Sequence, residues 1–412
     1  MRFCGFLAMK KEKVIQEQSV LASELVALLG DNLLEDLAKS LQADKWVIKL
    51  KTATVFKLVL YSLLDSERIS LRTMADQFTS MPFQTLEQSI LGQSTAHSSL
   101  RDRLINIDVR FFERIYDKAF ALLSAQYGSK QLTGTYNIKR YDSTMIAVFS
   151  HMLKGMQVGN TSRKKNQVKL TTELTADFEV RMRFFKDQDH LGEEVALKEM
   201  ILSQTHDSSS LIVFDRGIKS RQTFCDLKEL KTQFVTRLNE NSRYKYLRQH
   251  AEVPDKSVGD LQFIQDSIVY LYGDGSKLFK EEFRLIEVKT KKDGKKLFFL
   301  TNVLSEDAQT IADVYRKRWD IEVFFRFLKQ EMNLTHFVCN DVNAIMVMIY
   351  CTLITAMLIL VYKKQNDIKS YKIAKIRFFK ELQAAVTLEL LDAPGGIERL
   401  RLILKAQLKK DP

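Results

Sequence analysis

The sequence predicts an α/β protein: a mixed β-sheet core between helical N- and C-terminal regions. Three observations carry this. Apolar residues recur at helical spacing over 14–128, the period shifts to alternating or continuous apolar runs from Tyr136, and helical spacing returns after Asn302. Only 15 Gly and 4 Pro among 412 residues favour long regular elements. A chain of that length exceeds what one core usually holds, so we divide it into 1–130, 131–340 and 341–412, with a strand-rich block at 232–305 set into the middle region.

In the first region Leu21, Leu25, Leu28, Leu29, Leu33 and Leu37 follow helical spacing. Breaks are expected at 65–72 and 81–84, and Ser94 or Thr95 is a candidate cap for a helix through Leu100 and Leu104. The middle region opens with expected strands at 137–149, 167–175 and 178–186, the last two joined by a tight turn at Ala176-Asp177. A helix over 191–202, a short buried strand over 211–214 and a helix over 219–230 follow. Successive strands and then helix, strand and helix give a mixed sheet. In the inserted block, strands are expected at 267–272, 283–290 and 297–302, with Asp293-Gly294 as a hairpin turn.

Charge and cysteine usage narrow the functional classes. The net charge is +12, and most of it sits in two segments. Segment 151–170 holds Lys154, Arg163, Lys164, Lys165 and Lys169 with no acidic residue, and 363–412 holds twelve basic against six acidic residues. Concentrated positive charge suits a polyanion, nucleic acid first and an anionic membrane second. Cys4, Cys225, Cys339 and Cys351 have no paired spacing and no His at zinc-ligand distance, which argues for a reduced, cytosolic protein without structural zinc. The short apolar run 3–9 lacks a cleavage site, and Met9 is an alternative start. Segment 344–362 has no charge and passes as a membrane span by hydropathy. Its polar flank and internal Tyr350, Thr352 and Thr355 fit a buried helix of a soluble core, the reading ranked first.

The stretch 315–329 concentrates reactive side chains. Tyr315, Arg318, Glu322 and Lys329 fall at helical offsets that place them within about 60° of one another on a single helix. The other faces are apolar, so the stripe should line a polar cleft. A solvated face with Glu322 paired to Arg318 and Arg326 is the plainer alternative. Asp142 lies inside the first strand of the core, where Asp is disfavoured. Asp215 ends the apolar run 211–214, at the carboxyl end of a strand where α/β sheets place ligands, or else caps the helix over 219–230. Three carboxylates on two strands and a helix can supply the oxygen ligands of hard divalent cations.

These residues resemble the DDE transposases of the bacterial insertion-sequence-four family. Tyr315, Arg318, Glu322 and Lys329 match that family's Tyr-x2-Arg-x3-Glu-x6-Lys signature in full. Asp215-Arg216-Gly217 matches its Asp-Arg-Gly block, and Asp142-Ser143-Thr144 its first Asp. The resemblance covers 136–341 well and the N-terminal region only in character. It implies a ribonuclease-H-like catalytic core interrupted by a β subdomain, with Asp142, Asp215 and Glu322 binding two Mg²⁺ ions for which Mn²⁺ could substitute. It further implies cut-and-paste transposition: cleavage at the terminal inverted repeats releases a 3′-hydroxyl that attacks target DNA. Tyr315, Arg318 and Lys329 would contact phosphates, and Arg237, in Val235-Thr236-Arg237-Leu238, resembles a basic position common in the family. Arg163, Lys164 and Lys165 are expected to add phosphate affinity.

The implied partners are double-stranded DNA, both element ends and target, and a second copy of the chain in a synaptic complex. No membrane or small-molecule substrate is expected, and the location is the bacterial cytoplasm, at the nucleoid through DNA. Region 1–130 would be the helical DNA-binding part, although no helix-turn-helix signature stands out. Some relatives flip a base onto a tryptophan of the inserted subdomain; here the tryptophans are Trp46 and Trp319, so Tyr270 or Tyr272 would serve instead or the hairpin step is absent. A catalytically inactive DNA-binding derivative, acting as inhibitor or regulator, is the main rival reading. A membrane-anchored protein is the second.

Overall fold

The computed structural model describes residues 19–127, 132–133, 136–148, 156–158, 165–175, 179–185, 188–204, 206–207, 209–253, 259–392, 394–398 and 401. The N-terminal part is helical: α1 (Ala22–Ala27), α2 (Asp31–Ser40), α3 (Thr52–Asp65), α4 (Leu71–Thr79), α5 (Met81–Leu86), α6 (His97–Asn106) and α7 (Val109–Tyr127). The break expected at 81–84 is instead α5, because Ser80 caps it and Pro82 occupies its first turn. Helix α6 begins at His97 with Ala96 in the cap position, two residues beyond Ser94 and one beyond Thr95.

A mixed sheet follows. Its strands are β1 (Leu132–Thr133), β2 (Tyr136–Val148), β3 (Met156–Val158), β4 (Lys165–Thr175), β5 (Glu179–Phe185), β6 (Ser210–Phe214), β7 (Gln233–Leu238), β8 (Tyr244–Gln249), β9 (Leu261–Tyr272), β10 (Leu278–Thr290) and β11 (Lys296–Thr301). Nine of them lie in the order β3-β4-β2-β6-β7-β11-β10-β9-β8, with β1 added to β2 and β5 to β4. Strands β2, β6 and β7 are mutually parallel, and β4 runs antiparallel to β2. Every residue of β6 is buried, as expected of a parallel strand covered on both faces.

Alternation along β2 sorts the cover on each face. Tyr136 and Ile138 join Leu211, Val213 and Val235 against Ile311, Ala312, Val314 and Tyr315 of α10 (Ala308–Arg316). Tyr141 joins Ile212 and Phe214 against Leu197, Met200 and Ile201 of α8 (Glu193–Leu202) and Phe224 and Leu227 of α9 (Arg221–Glu229). The strand-rich block 232–305 therefore differs from a separate subdomain: β7 is a parallel core strand, and β11 pairs with it antiparallel to carry the sheet on into β10, β9 and β8. The apolar runs of β7 and β11 are too thoroughly buried to sit outside the core.

The helical regions expected at the two ends share one core. Helix α12 (Val342–Gln365) buries Ala344, Ile345 and every residue from Val347 to Tyr362. A helix apolar on all sides needs cover all round. It receives this from the N-terminal helices, from α13 (Tyr371–Asp392) and from α11 (Trp319–Gln330), all in a single cluster that reaches Ile146, Leu170 and Leu174 of the sheet. The span-like segment is thus a core helix, 94% buried over its most apolar window. Asn343 donates from Nδ2 to Leu104 O at 3.1 Å and Ile107 O at 2.6 Å, fixing the start of α12 to the end of α6.

One buried ion pair launches α10. Arg284 on β10 pairs with Asp266 on β9 at 2.7 Å, with both side chains almost fully excluded from solvent. Arg284 Nη1 also donates to Val303 O at 3.3 Å and Glu306 O at 2.5 Å, which ties down the segment entering α10. Removing one partner of such a pair strands a buried charge. Asp266→Ala should cost about 3–5 kcal/mol of unfolding free energy, measured by urea denaturation, whereas Leu388→Ala on the exposed side of α13 should stay within about 0.5 kcal/mol.

Candidate active site and nucleic-acid interface

Strand register builds the centre of the site. Tyr141 pairs with Phe214, so Asp142 and Asp215 fall side by side one step further along the parallel strands. Val213 pairs with Val235, which puts Arg237 beside Asp215. On the outer sides Thr172 of β4 lies opposite Asp142, and Phe299 of β11 lies opposite Arg237. Adjacent strands lie roughly 4.8 Å apart, and residues at equal register point to one face. The row Thr172, Asp142, Asp215, Arg237, Phe299 is therefore a polar centre with a carboxylate pair, presented toward α10 and α11. Asp215 accepts from its neighbour Arg216 N at 2.7 Å, and Ser220 rather than Asp215 is the cap residue of α9, which removes the capping alternative.

Above the row, the stretch 315–329 is two helices and not one. The expected single helix parts at Lys317-Arg318, where Arg318 N bonds to Tyr315 O at 3.0 Å and Ile321 N to Arg318 O at 3.3 Å, the tighter three-residue pattern. The cause lies in the sheet. Arg140, buried on β2 two residues before Asp142 and on the same face, donates from Nε to Lys317 O at 2.8 Å and pairs with Asp320 at 3.1 Å. Lys317 O accepts from this arginine and, in the tighter three-residue pattern, from Asp320 N at 3.2 Å, so Arg140 holds the junction at which α11 leaves α10.

The signature residues meet the row in two groups. Tyr315 donates its hydroxyl to Asp215 Oδ1 at 3.3 Å and packs its ring 5.1 Å from that of Phe299. Burial and the Asp215 charge push the Tyr315 pKa up to about 12, so the phenol keeps its proton. Arg318 Nη2 pairs with Glu322 Oε1 at 2.7 Å, and the guanidinium lies 5.7 Å from the Tyr315 ring centroid. Burial alone would lower the Arg318 pKa, but Tyr315, Glu322 and Asp215 outweigh it and raise it. Its Nε and Nη1 are buried with no hydrogen-bond partner among the described residues. Buried donors of this kind call for an acceptor that the described residues do not supply. Lys329 lies within electrostatic reach of Asp142; burial lowers its pKa and the carboxylate partly restores it.

Glu322 is thus held by Arg318, the plainer pairing, and not clustered with the two aspartates. Among the described residues no three carboxylate, imidazole or thiol groups gather at metal-binding distance. In kind, the donors fit a hard divalent cation, since Asp142 and Asp215 offer adjacent oxygens and Glu322 is linked to Asp215 through the shared Arg318.

A basic cleft opens beside Asp215. It has a volume near 680 Å³ and is lined by Arg216, Lys219, Arg221, Arg237, Arg243 and Lys277, with Glu194 and Asp274 the acidic members. Glu194 is occupied by Ser220 N at 2.6 Å. Some cations near the cleft but outside its lining are paired: Lys198–Asp226 at 3.0 Å, Lys228–Glu281 at 3.1 Å and Arg248–Glu282 at 2.7 Å. Arg221 is instead held by neutral oxygens of Tyr272 and Ser242, and burial lowers its pKa. Tyr272 lines this cleft, under the Arg243 guanidinium at 5.2 Å. Among these cations sequence reasoning named Arg237 as a candidate and Arg216 only within the Asp-Arg-Gly match, because the cleft draws on segments far apart in the chain. It also missed Arg140, whose same-face spacing from Asp142 was the available signal. Of the remaining expected residues, Lys165 opens β4 opposite Val158, while Arg163 and Lys164 lie outside the described residues, as does the turn at Ala176-Asp177.

Comparison with known proteins places the chain. Residues 141–358 match the family model described as a transposase DDE domain. The chain is 30% identical over 162 residues to the putative transposase y4zB of Sinorhizobium fredii, a match covering 39% of this chain and 45% of that protein. It is 23% identical over 326 residues, 77% of this chain and 84% of the relative, to a putative transposase for insertion sequence element IS4SA of Synechocystis. In fold it resembles the piggyBac transposase in a synaptic complex with hairpin DNA, with a TM-score of 0.53, 13% identity and coverage of 94% of this chain and 86% of that one. The match to y4zB thus spans less than half of that relative. The family model nevertheless covers more than half of this chain, in the region that carries Asp142, Asp215 and Glu322, and the chain belongs to the DDE transposase family.

Proposed function

We propose that this protein is the transposase of a bacterial insertion sequence, binding the terminal inverted repeats of the element and cutting and joining DNA at a site built from Asp142, Asp215 and Glu322. The observation that carries the reading is the register row of Asp142, Asp215 and Arg237 beneath Tyr315 and Arg318. The order β4-β2-β6-β7, with β4 alone antiparallel, supports a ribonuclease-H-like core. A divalent cation pair, Mg²⁺ or Mn²⁺, held by the three carboxylates would polarise the scissile phosphodiester and favour the attacking oxygen.

The chain's own residues position the DNA. The unused Nε and Nη1 donors of Arg318 suit two phosphate oxygens, a bidentate match that lysine could not make. Tyr315 keeps its proton and steadies Asp215. Lys329 places positive charge against Asp142. The cations of the cleft, from Arg216 to Lys277, continue the path for the phosphate backbone away from Asp215. On this reading the DNA phosphate takes Arg318 and releases Glu322 toward the aspartates. A homodimer bridging two ends, and a cytoplasmic location on the nucleoid, complete the proposal.

Two measurements test it. Glu322→Gln keeps an oxygen for Arg318 to bond but removes the charge, so the fold and end binding should survive while cleavage of labelled terminal DNA in Mg²⁺ falls by at least a hundredfold. Cleavage by the variant at the wild-type rate would remove Glu322 from the site; absence of cleavage by wild type, with ends still bound, would favour the inactive DNA-binding derivative. Separately, Lys329 should lose its proton at lower pH than a solvent-exposed lysine, and Asp142→Asn should lower that pH further, since the carboxylate holds the ammonium charged. Lysine ¹³Cε chemical shifts followed through alkaline pH report this directly, and no change on substitution would separate the two residues.

A further inference from the structure

The loop between α2 and α3 combines a rigid base with an apolar tip in solvent. At its base, Arg103 of α6 donates from Nε to Leu50 O at 2.8 Å and from Nη2 to Ala43 O at 3.3 Å, Asp44 Oδ1 at 2.8 Å and Thr52 Oγ1 at 3.0 Å. Asp44 Oδ1 also accepts from Thr52 N at 2.7 Å. Both charged side chains are largely buried, and one arginine thus closes the loop from both ends. At the tip Trp46 is 90% exposed and Ile48 92%. Trp46 has φ +67°, in the left-handed region, which costs a residue with a side chain roughly 1–2 kcal/mol. Exposure forgoes burial and the backbone is strained, so neither feature serves this chain's own packing.

The surroundings are basic. Lys45, Lys49 and Lys51 flank the tip, with no carboxylate at ion-pair distance among the described residues; Lys45 Nζ lies 5.9 Å from the Trp46 ring and Lys49 Nζ 5.5 Å from the Phe78 ring. Acidic groups lining the cavity below are mostly engaged: Asp31 and Glu87 with Lys57, Glu35 with Lys39 and Asp44 with Arg103, leaving Glu389. Lysines are depleted at protein interface cores, and two apolar side chains fall far short of the roughly 800 Å² per partner that stable protein interfaces bury. A small apolar wedge ringed by lysines suits duplex DNA, where apolar side chains enter between base steps and cations hold the flanking phosphates.

Resting on the DNA reading above, we propose that the 45–51 loop is a DNA wedge: Trp46 and Ile48 enter the minor groove of bound duplex, and Lys45, Lys49 and Lys51 hold its backbone. The chain has two tryptophans, so Trp319→Phe leaves Trp46 as the sole indole reporter. Fluorescein-labelled duplex from the DNA bordering the gene is titrated while indole emission and DNA anisotropy are read together. A wild-type minus Trp46→Phe difference spectrum gives the same readout without touching Trp319.

The expected result is quenching or a blue shift of Trp46 with the anisotropy midpoint, and weakening by roughly tenfold or more in Trp46→Ala. The salt slope of Trp46→Ala should match wild type, whereas Lys45→Gln with Lys49→Gln and Lys51→Gln should flatten it. Binding with unchanged emission and unchanged Trp46→Ala affinity overturns the wedge and leaves the DNA reading standing. An emission shift that tracks protein concentration without DNA overturns it in favour of contact with a second copy. If wild type binds no duplex at all, the DNA reading fails and takes the wedge with it.

Discussion

Two carboxylates at equal register on adjacent parallel strands repel each other, and much of the site can be understood as the answer to that repulsion. Asp142 and Asp215 are separated by about one strand spacing. Neighbouring carboxylates repel when both are ionised. Positive charge is accordingly brought in from three directions: Arg237 along the same row, Arg318 from the helix junction, and Lys329 from the far turns of α11. The Tyr315 hydroxyl adds a neutral donor to Asp215. A cationic cofactor and a phosphodiester would enter a balance already poised by these groups, with Arg318 shared between Glu322 and the incoming anion.

The packing explains why that balance can hold its geometry. Arg140 fixes the α10–α11 junction to β2 itself, so the helix bearing Glu322 and the strand bearing Asp142 are tied by a charged hydrogen bond. Behind α11, Ile321, Phe324, Phe325 and Leu328 join the cluster built around α12. The helix whose uncharged segment 344–362 reads as a membrane span is the backing against which the site's own helix is pressed. Arg284 secures the other end, at the entry to α10.

Local chemistry was legible in the sequence, and placement across the chain was less so. Of the four residues Tyr315, Arg318, Glu322 and Lys329, the spacing holds for Arg318 and Glu322, which meet at one helical turn. Asp142 and Asp215 were recognisable as a disfavoured strand residue and a strand terminus, and the register then put them together. The helix break at Lys317 was not legible, because it is imposed by Arg140 from 177 residues away. Nor was the parallel pairing of β7 with β6, since its apolar run resembles those of the block that follows. The basic cleft draws on 216–221, 237–243 and 272–277, and no single window contains enough of it to stand out.

The central claim is that Asp142, Asp215 and Glu322 converge on cation when DNA is present. Affinity cleavage of the polypeptide tests it most directly: Fe²⁺ replaces Mg²⁺ in the protein–DNA complex, peroxide and ascorbate are added, and the backbone cuts are mapped. The account predicts cuts near Asp142, Asp215 and Glu322 together, suppressed by excess Mg²⁺. Cuts near the two aspartates but never near Glu322, or cuts elsewhere that Mg²⁺ does not suppress, would contradict it.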